Sequence, residues 1–207
     1  MRERMKEIVD TSYKLLINKI NKGSIKVDNE AGFQLQFAYI LKHLGQLYEY
    51  SNDEKFSVEL EKNIQLRTNS IKSGTNKAKI DIFLKLEDKN TLFKCAIELK
   101  YFKEKNHREP NNRYDVFRDI SNLEKYKSEG IDMCYFIIGT NHKHYVIQEK
   151  YSDDTKDFDF RDRVEYTKGK KLSYKTENPY GEDIILNNSY EFKWDKFDNL
   201  YFLKLEV

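Results

Sequence analysis

The spacing of apolar residues divides the chain into readable segments. Over residues 3–22, Met5, Ile8, Val9, Leu16 and Ile20 fall near one face of a 3.6-residue repeat. That predicts an amphipathic helix stopped at Gly23. Asp28 or Asn29 is a good N-cap for a second helix, along which Phe33, Phe37, Ile40 and Leu44 keep the same repeat. Gly45 is expected at its C′ position. Residues 54–66 read as a strand or an irregular β segment. The period then changes to two: Ile80, Ile82, Leu84 and Leu86 alternate with Lys79, Asp81, Phe83 and Lys85. A polar turn, Glu87-Asp88-Lys89-Asn90, leads into residues 91–102. There Phe93, Cys95, Ile97, Leu99 and Tyr101 face one way, and Lys94, Ala96, Glu98, Lys100 and Phe102 the other. The two segments predict a β-hairpin.

A polar, basic loop is expected over 103–112. A helix over 112–129 follows, with Val116, Phe117, Ile120 and Leu123 inward, ending before Gly130. The apolar run IDMCYFIIG at 131–139, bounded by turn residues, fits a strand buried on both faces. Strand, crossover helix and central strand imply a parallel pair within a mixed sheet. Residues 144–148 read as a strand and 151–163 as a charged loop. Residues 189–207 read as a second hairpin turning near Asp195–Asn199. The expected class is α/β (α+β): a mixed sheet flanked by helices over residues 1–150, with a β-rich C-terminal extension, 151–207, packed on the same domain.

Composition narrows the class. A chain of 207 residues supports one good core. Charged residues reach 35%, but 15 Tyr, 13 Phe and only 2 Pro mark a chain that folds. A net charge of +2 excludes a strongly polybasic nucleic-acid coat and an acidic mimic. It leaves room for a nuclease whose charges segregate locally. Cys95 and Cys134 sit in apolar runs, as buried thiols of a reducing compartment do. The basic N-terminus has no apolar signal-peptide segment, and no run is long enough to span a bilayer. A soluble cytoplasmic protein is expected, with no membrane partner.

The chemistry concentrates at Glu98-Leu99-Lys100. An acid two residues before a lysine also occurs at Asp53, Glu87, Asp154 and Glu191, so the spacing alone is background. Only Glu98 lies deep in an apolar strand whose partner strand carries a lone acid, Asp81. With the turn at 87–90, Leu86 is expected opposite Thr91 and Asp81 opposite Ala96. Asp81, Ala96, Glu98 and Lys100 then share one face, with Asp81 and Glu98 diagonal neighbours about 7–8 Å apart. Two carboxylates at that spacing can converge on one divalent ion. Such an ion lowers the pKa of bound water and stabilises charge on a phosphate. Lys100 can orient and help deprotonate the attacking water, or hold a phosphate oxygen. The competing reading is a charged solvent face, which Phe83, Ala96 and Phe102 on the same side oppose.

Asp81 on one strand and Glu98-Leu99-Lys100 on the next resemble the PD-(D/E)XK (restriction-endonuclease-like) nuclease superfamily. A preceding helix with an acid near its start, and a following helix and buried strand, keep the same order over residues 28–140. Ile80 stands where the nominal proline would be. The resemblance implies a restriction-endonuclease-like core and a magnesium-dependent DNA endonuclease, with Mn²⁺ as a substitute for Mg²⁺. It implies Asp81, Glu98 and the Leu99 carbonyl as metal ligands, and Lys100 as the residue that orients water or stabilises phosphate. It also implies Glu30 as a residue that binds or supports a metal; the helix dipole would equally favour an acid there. Gln34, one turn beyond Glu30, is within reach of the same site. Lys103, Lys105, His107, Arg108 and Arg113 are candidate phosphate contacts, with a solvated loop the alternative. DNA as partner, a restriction or defence role and a homodimer are further expectations, while the sequence names no methyltransferase or other subunit as a partner. The alternative from another class is a catalytically inactive nucleic-acid-binding or assembly module on a nuclease-like fold. His142-x-His144 falls short of the usual three or four zinc ligands. Trp194, Tyr190 and Tyr201 could stack on bases, although their spacing equally suits a core.

Overall fold

The computed structural model describes residues 1–67 and 75–207. Helix α1 spans Arg2–Asn21 and α2 spans Glu30–Gln46. The Asn29 side chain caps α2 by accepting a 2.7 Å hydrogen bond from the Gly32 amide. Three long strands follow: β1 (Lys55–Gln65), β2 (Lys77–Glu87) and β3 (Leu92–Phe102). A 3₁₀ turn, Glu104–Asn106, leads to α3 (Glu109–Ser128), β4 (Met133–Thr140) and the single turn α4 (His144–Ile147). The remainder forms β5 (Glu165–Tyr166), β6 (Lys171–Leu172), β7 (Ile184–Ile185), β8 (Tyr190–Glu191), β9 (Trp194–Phe197) and β10 (Leu200–Glu206).

Six strands make one mixed sheet in the order β1-β2-β3-β4-β10-β9. The β3–β4 pair is parallel and joined through α3; the other pairs are antiparallel. Every residue of β4 is buried, which explains its uninterrupted apolar run at the centre of the sheet. One face carries α1 and α2 over Ile82, Leu84, Cys95, Ile97 and Leu99. The other carries α3 over Phe83, Ala96, Phe136 and Ile138, joined by Phe158, Phe160 and Phe192 from the C-terminal third. Residues 151–207 supply the two small sheets β5-β8 and β6-β7 and also strands β9 and β10 of the main sheet. Among the described residues no helix is long and apolar enough to cross a membrane.

Four local expectations need correction. Gly45 lies inside α2, where a Cβ would sit 2.2 Å from the Phe56 ring; glycine serves close packing there, not termination. Helix α3 starts at Glu109, with Pro110 in its first turn, so the loop is shorter than 103–112. Residues 144–147 are helical rather than extended. In the β2–β3 hairpin, Leu86 faces Phe93 and Phe83 faces Ala96, a shift of two residues from Leu86 opposite Thr91. A two-residue shift keeps each side chain on its face, so the face assignment survives while the diagonal changes.

Gly45→Ala tests the helix–strand contact. Helix propensity favours alanine by roughly 1 kcal/mol, but overpacking an aromatic ring costs about 1–3 kcal/mol. A net loss in urea unfolding is expected, recovered in part by Phe56→Leu; equal or greater stability of Gly45→Ala would show that the contact has slack.

Candidate functional site

Strand β3 carries the acid–lysine pair to the end of the sheet where α2 begins and α3 passes. Glu98 is fully buried and Lys100 is 9% exposed. Continued by one residue, the hairpin register sets Asp81 beside Glu98. The Leu99 amide donates a 2.7 Å hydrogen bond to Asp81 Oδ2. On the other side of β2, Leu60 pairs with Ile82 and Lys62 with Ile80; between them Glu61 takes a φ of +54°. At this irregularity Gln34 Nε2 donates to the Asp81 carbonyl at 2.7 Å and to Glu61 Oε1 at 2.9 Å. Gln34 therefore positions the Asp81 backbone.

Lys100 Nζ lies 3.1 Å from Asp119 Oδ2 and 3.5 Å from Glu30 Oε1, and donates to the Leu99 carbonyl at 2.9 Å. Burial alone would lower the ammonium pKa; Asp119, Glu30, Asp81 and Glu98 outweigh burial and hold it above its ordinary value. Lys100 is thus an ammonium in this arrangement. Glu30 heads α2 and accepts from the Tyr101 amide at 3.4 Å. Partial burial raises its carboxyl, Lys100 opposes that, and Asp81 adds to it; the net shift is upward. Glu98 accepts a 3.2 Å hydrogen bond from the Tyr126 hydroxyl, which burial and Glu98 together hold in its neutral form.

Sequence reading missed the contribution of α3. Asp115, Asp119, Asn122 and Tyr126 are all buried and fall at i, i+4, i+7 and i+11. They form a polar stripe aimed at the sheet, between apolar rows. Arg118 braces it, 2.9 Å from Asp115 and 3.7 Å from Asp119. The signal was two acids one turn apart inside an apolar helix pattern.

The basic residues divide. Arg113 is 2% exposed, with its guanidinium on the Thr155 carbonyl and hydroxyl and over the Tyr151 ring at 3.7 Å. It fastens α3 to the C-terminal third and is removed from the phosphate-contact candidates. Lys103 donates to the Asp28 carbonyl at 2.6 Å, joining the end of β3 to the start of α2. Lys105, His107 and Arg108 are exposed. A cavity of about 570 Å³ opens beside the site, lined by Glu30, Lys100, Lys103, Lys105, Arg108, Asp115 and Arg118 among others. Trp194 and Tyr190 are buried, Trp194 donating to the Phe160 carbonyl, so they serve the core.

The donor set suits a hard cation, since several carboxylates act on one ammonium. The geometry does not present a ready cage: among the described residues no three His, Cys, Asp or Glu side chains are gathered to hold a metal ion. A metal would compete with the Leu99 amide for Asp81, and with Lys100 for Glu30 and the Leu99 carbonyl. His142 pairs with Glu109 at 2.9 Å and stacks on His144, a structural cluster. Comparison with protein-family models, curated proteins and solved structures finds no match to this chain.

Two measurements check this electrostatic picture. Removing one partner of a buried ion pair costs about 3–5 kcal/mol, whereas an exposed pair such as Lys156–Asp153 is screened by water and contributes little. Asp119→Ala should therefore lower unfolding stability far more than Asp153→Ala; comparable losses would contradict the pairing. His144 is held down to about 4 by burial, then by Arg113 and His142. The unfolded chain takes that proton first, near an ordinary value of about 6.5. Stability should thus fall as pH drops from about 6.5 toward 4, by at most ~1.4 kcal/mol per pH unit from this residue. Urea titrations of His144→Gln should show a shallower decline in that window and no change above it.

Proposed function

We propose that this chain is a metal-dependent DNA endonuclease of the PD-(D/E)XK kind, hydrolysing phosphodiester bonds on a restriction-endonuclease-like core. The observation that carries the reading is the pairing of Lys100 with Glu30, on the strand whose Leu99 amide holds Asp81 beside Glu98. Glu30 and Lys100 line a cavity that Lys105 and Arg108 also line. The strand order supports it: an antiparallel hairpin bearing the acids, then a parallel pairing of β3 with β4 through α3.

In this reading Asp81, Glu98 and the Leu99 carbonyl would hold Mg²⁺ or Mn²⁺, supported by Glu30. The ion would supply water activation and charge stabilisation for the phosphate. Lys100 would orient the attacking water or hold a phosphate oxygen, and Asp119 and Tyr126 position Lys100 and Glu98 from behind. A restriction or defence role, action as a homodimer and a cytoplasmic location belong to the same proposal.

A second reading has its own support. The engagement of Asp81 by the Leu99 amide, and of Glu30 by Lys100, is also what a nucleic-acid-binding or assembly module without turnover would show.

Genomic DNA is the right substrate, because a sequence-specific enzyme can require a rare site. With Mg²⁺ or Mn²⁺ the wild-type chain should fragment it. Asp81→Asn, and Lys100→Arg, which keeps the buried positive charge, should each lower the rate at least about 10²-fold while keeping a native circular-dichroism spectrum. Intact DNA under every metal condition with the wild-type chain would leave the module without turnover as the account to keep.

A further inference from the structure

The segment between β6 and β7 brings Tyr180 beside Arg108, one of the residues that line the cavity next to Lys100. Its ring stands edge-on to Tyr114, centroids 5.5 Å apart at 88°, and its hydroxyl accepts a 3.4 Å hydrogen bond from Arg108. Tyr114 is 2% exposed, yet Tyr180 remains 42% exposed. The Tyr114 and Tyr174 rings both anchor it, Tyr174 at 6.3 Å and 63°, and the remainder faces water. The anchoring is tight, since a Cβ on Gly181 would lie 2.3 Å from the Tyr114 hydroxyl. The chain passes against Tyr114 only because residue 181 is glycine. An exposed aromatic held this firmly loses little freedom when it meets a planar ligand.

The neighbouring charges fit the same ligand. Arg108 and Lys105 line the cavity and are exposed, and among the described residues neither makes an ion pair. Cations committed elsewhere, such as Arg113 and Arg118, sit deeper. The rim thus offers a π surface beside exposed cations that make no ion pair among the described residues. A nucleotide of a strand presents the complements of both, a base face and a phosphate.

We propose that Tyr180 and Arg108 form a nucleotide subsite, in which a base of the DNA strand stacks on Tyr180 and an adjacent phosphate is held by Arg108. This rests on the endonuclease reading and adds a role for the C-terminal third: it supplies the stacking residue that seats the strand next to Lys100.

Fluorescence anisotropy of the full chain with a labelled DNA strand in EDTA tests the subsite without cleavage. Tyr180→Ala should weaken binding about tenfold, and Tyr180→Phe should bind like the wild type. Tyr180→Leu preserves bulk against Tyr114 but has no aromatic ring, so it should also lose about tenfold while melting at the wild-type temperature. Arg108→Ala should reduce the slope of log affinity against log salt by about one. Full affinity in Tyr180→Ala and Tyr180→Leu, with wild-type binding intact, would overturn the subsite and leave the endonuclease reading standing. Failure of the wild-type chain to bind any DNA would overturn both. Equal loss in Tyr180→Phe would assign the contact to the hydroxyl and overturn stacking.

Discussion

A buried ammonium organises this molecule. Lys100 sits near the end of β3, 9% exposed, where an unpaired positive charge would cost several kcal/mol to desolvate. The chain meets that cost with carboxylates from both sides of the sheet: Asp119 on α3 and Glu30 at the start of α2. Because those helices lie on opposite faces, satisfying one lysine fixes both relative to β3. Asp81 is brought in by the Leu99 amide, and its backbone is held by Gln34 from α2. Each of these groups depends on the others for its charge state, so the cluster behaves as one unit.

Helix α3 transmits this organisation to the rest of the chain. One of its faces presents Asp115, Asp119 and Tyr126 to the site. Another binds the C-terminal third: Arg113 on Thr155, and Glu124 accepting from the Asn187 and Asn188 amides and the Tyr190 hydroxyl. A helix polar on so many sides is held here by ion pairs and hydrogen bonds to Lys100, Thr155 and the Asn187 and Asn188 amides. The C-terminal third is accordingly bound to the same unit as the site, both through α3 and through β10 beside β4.

Much of this was legible in the residues. The two-residue alternation around Asp81 and Glu98 located the hairpin, and the apolar run at 131–139 located the central strand, because buried strands need no polar face. Turn chemistry was less legible. Asp88 accepts from both the Asn90 and Thr91 amides, so the four-residue turn sits one residue later, at 88–91, and the register moves by two residues. Gly45 read as a helix stop because glycine often is one; only the Phe56 ring, eleven residues on, shows why it lies inside the helix. Arg113 looked like a surface cation from its neighbours, but its partners Thr155 and Tyr151 are about forty residues distant and no local pattern reveals them. Asp119 was hidden for the same reason: its meaning lies in Lys100, on another element.

For this cluster to hold a divalent metal, as proposed, the ion must displace the protein groups that engage Asp81 and Glu30. Electron paramagnetic resonance of Mn²⁺ titrated into the DNA-free full chain tests metal binding most directly. The account predicts saturable loss of the free Mn²⁺ signal in the wild-type chain, and loss of that binding in folded Asp81→Asn and Glu98→Gln. An unchanged free-ion signal in the wild type, or equal binding in both variants, would contradict it.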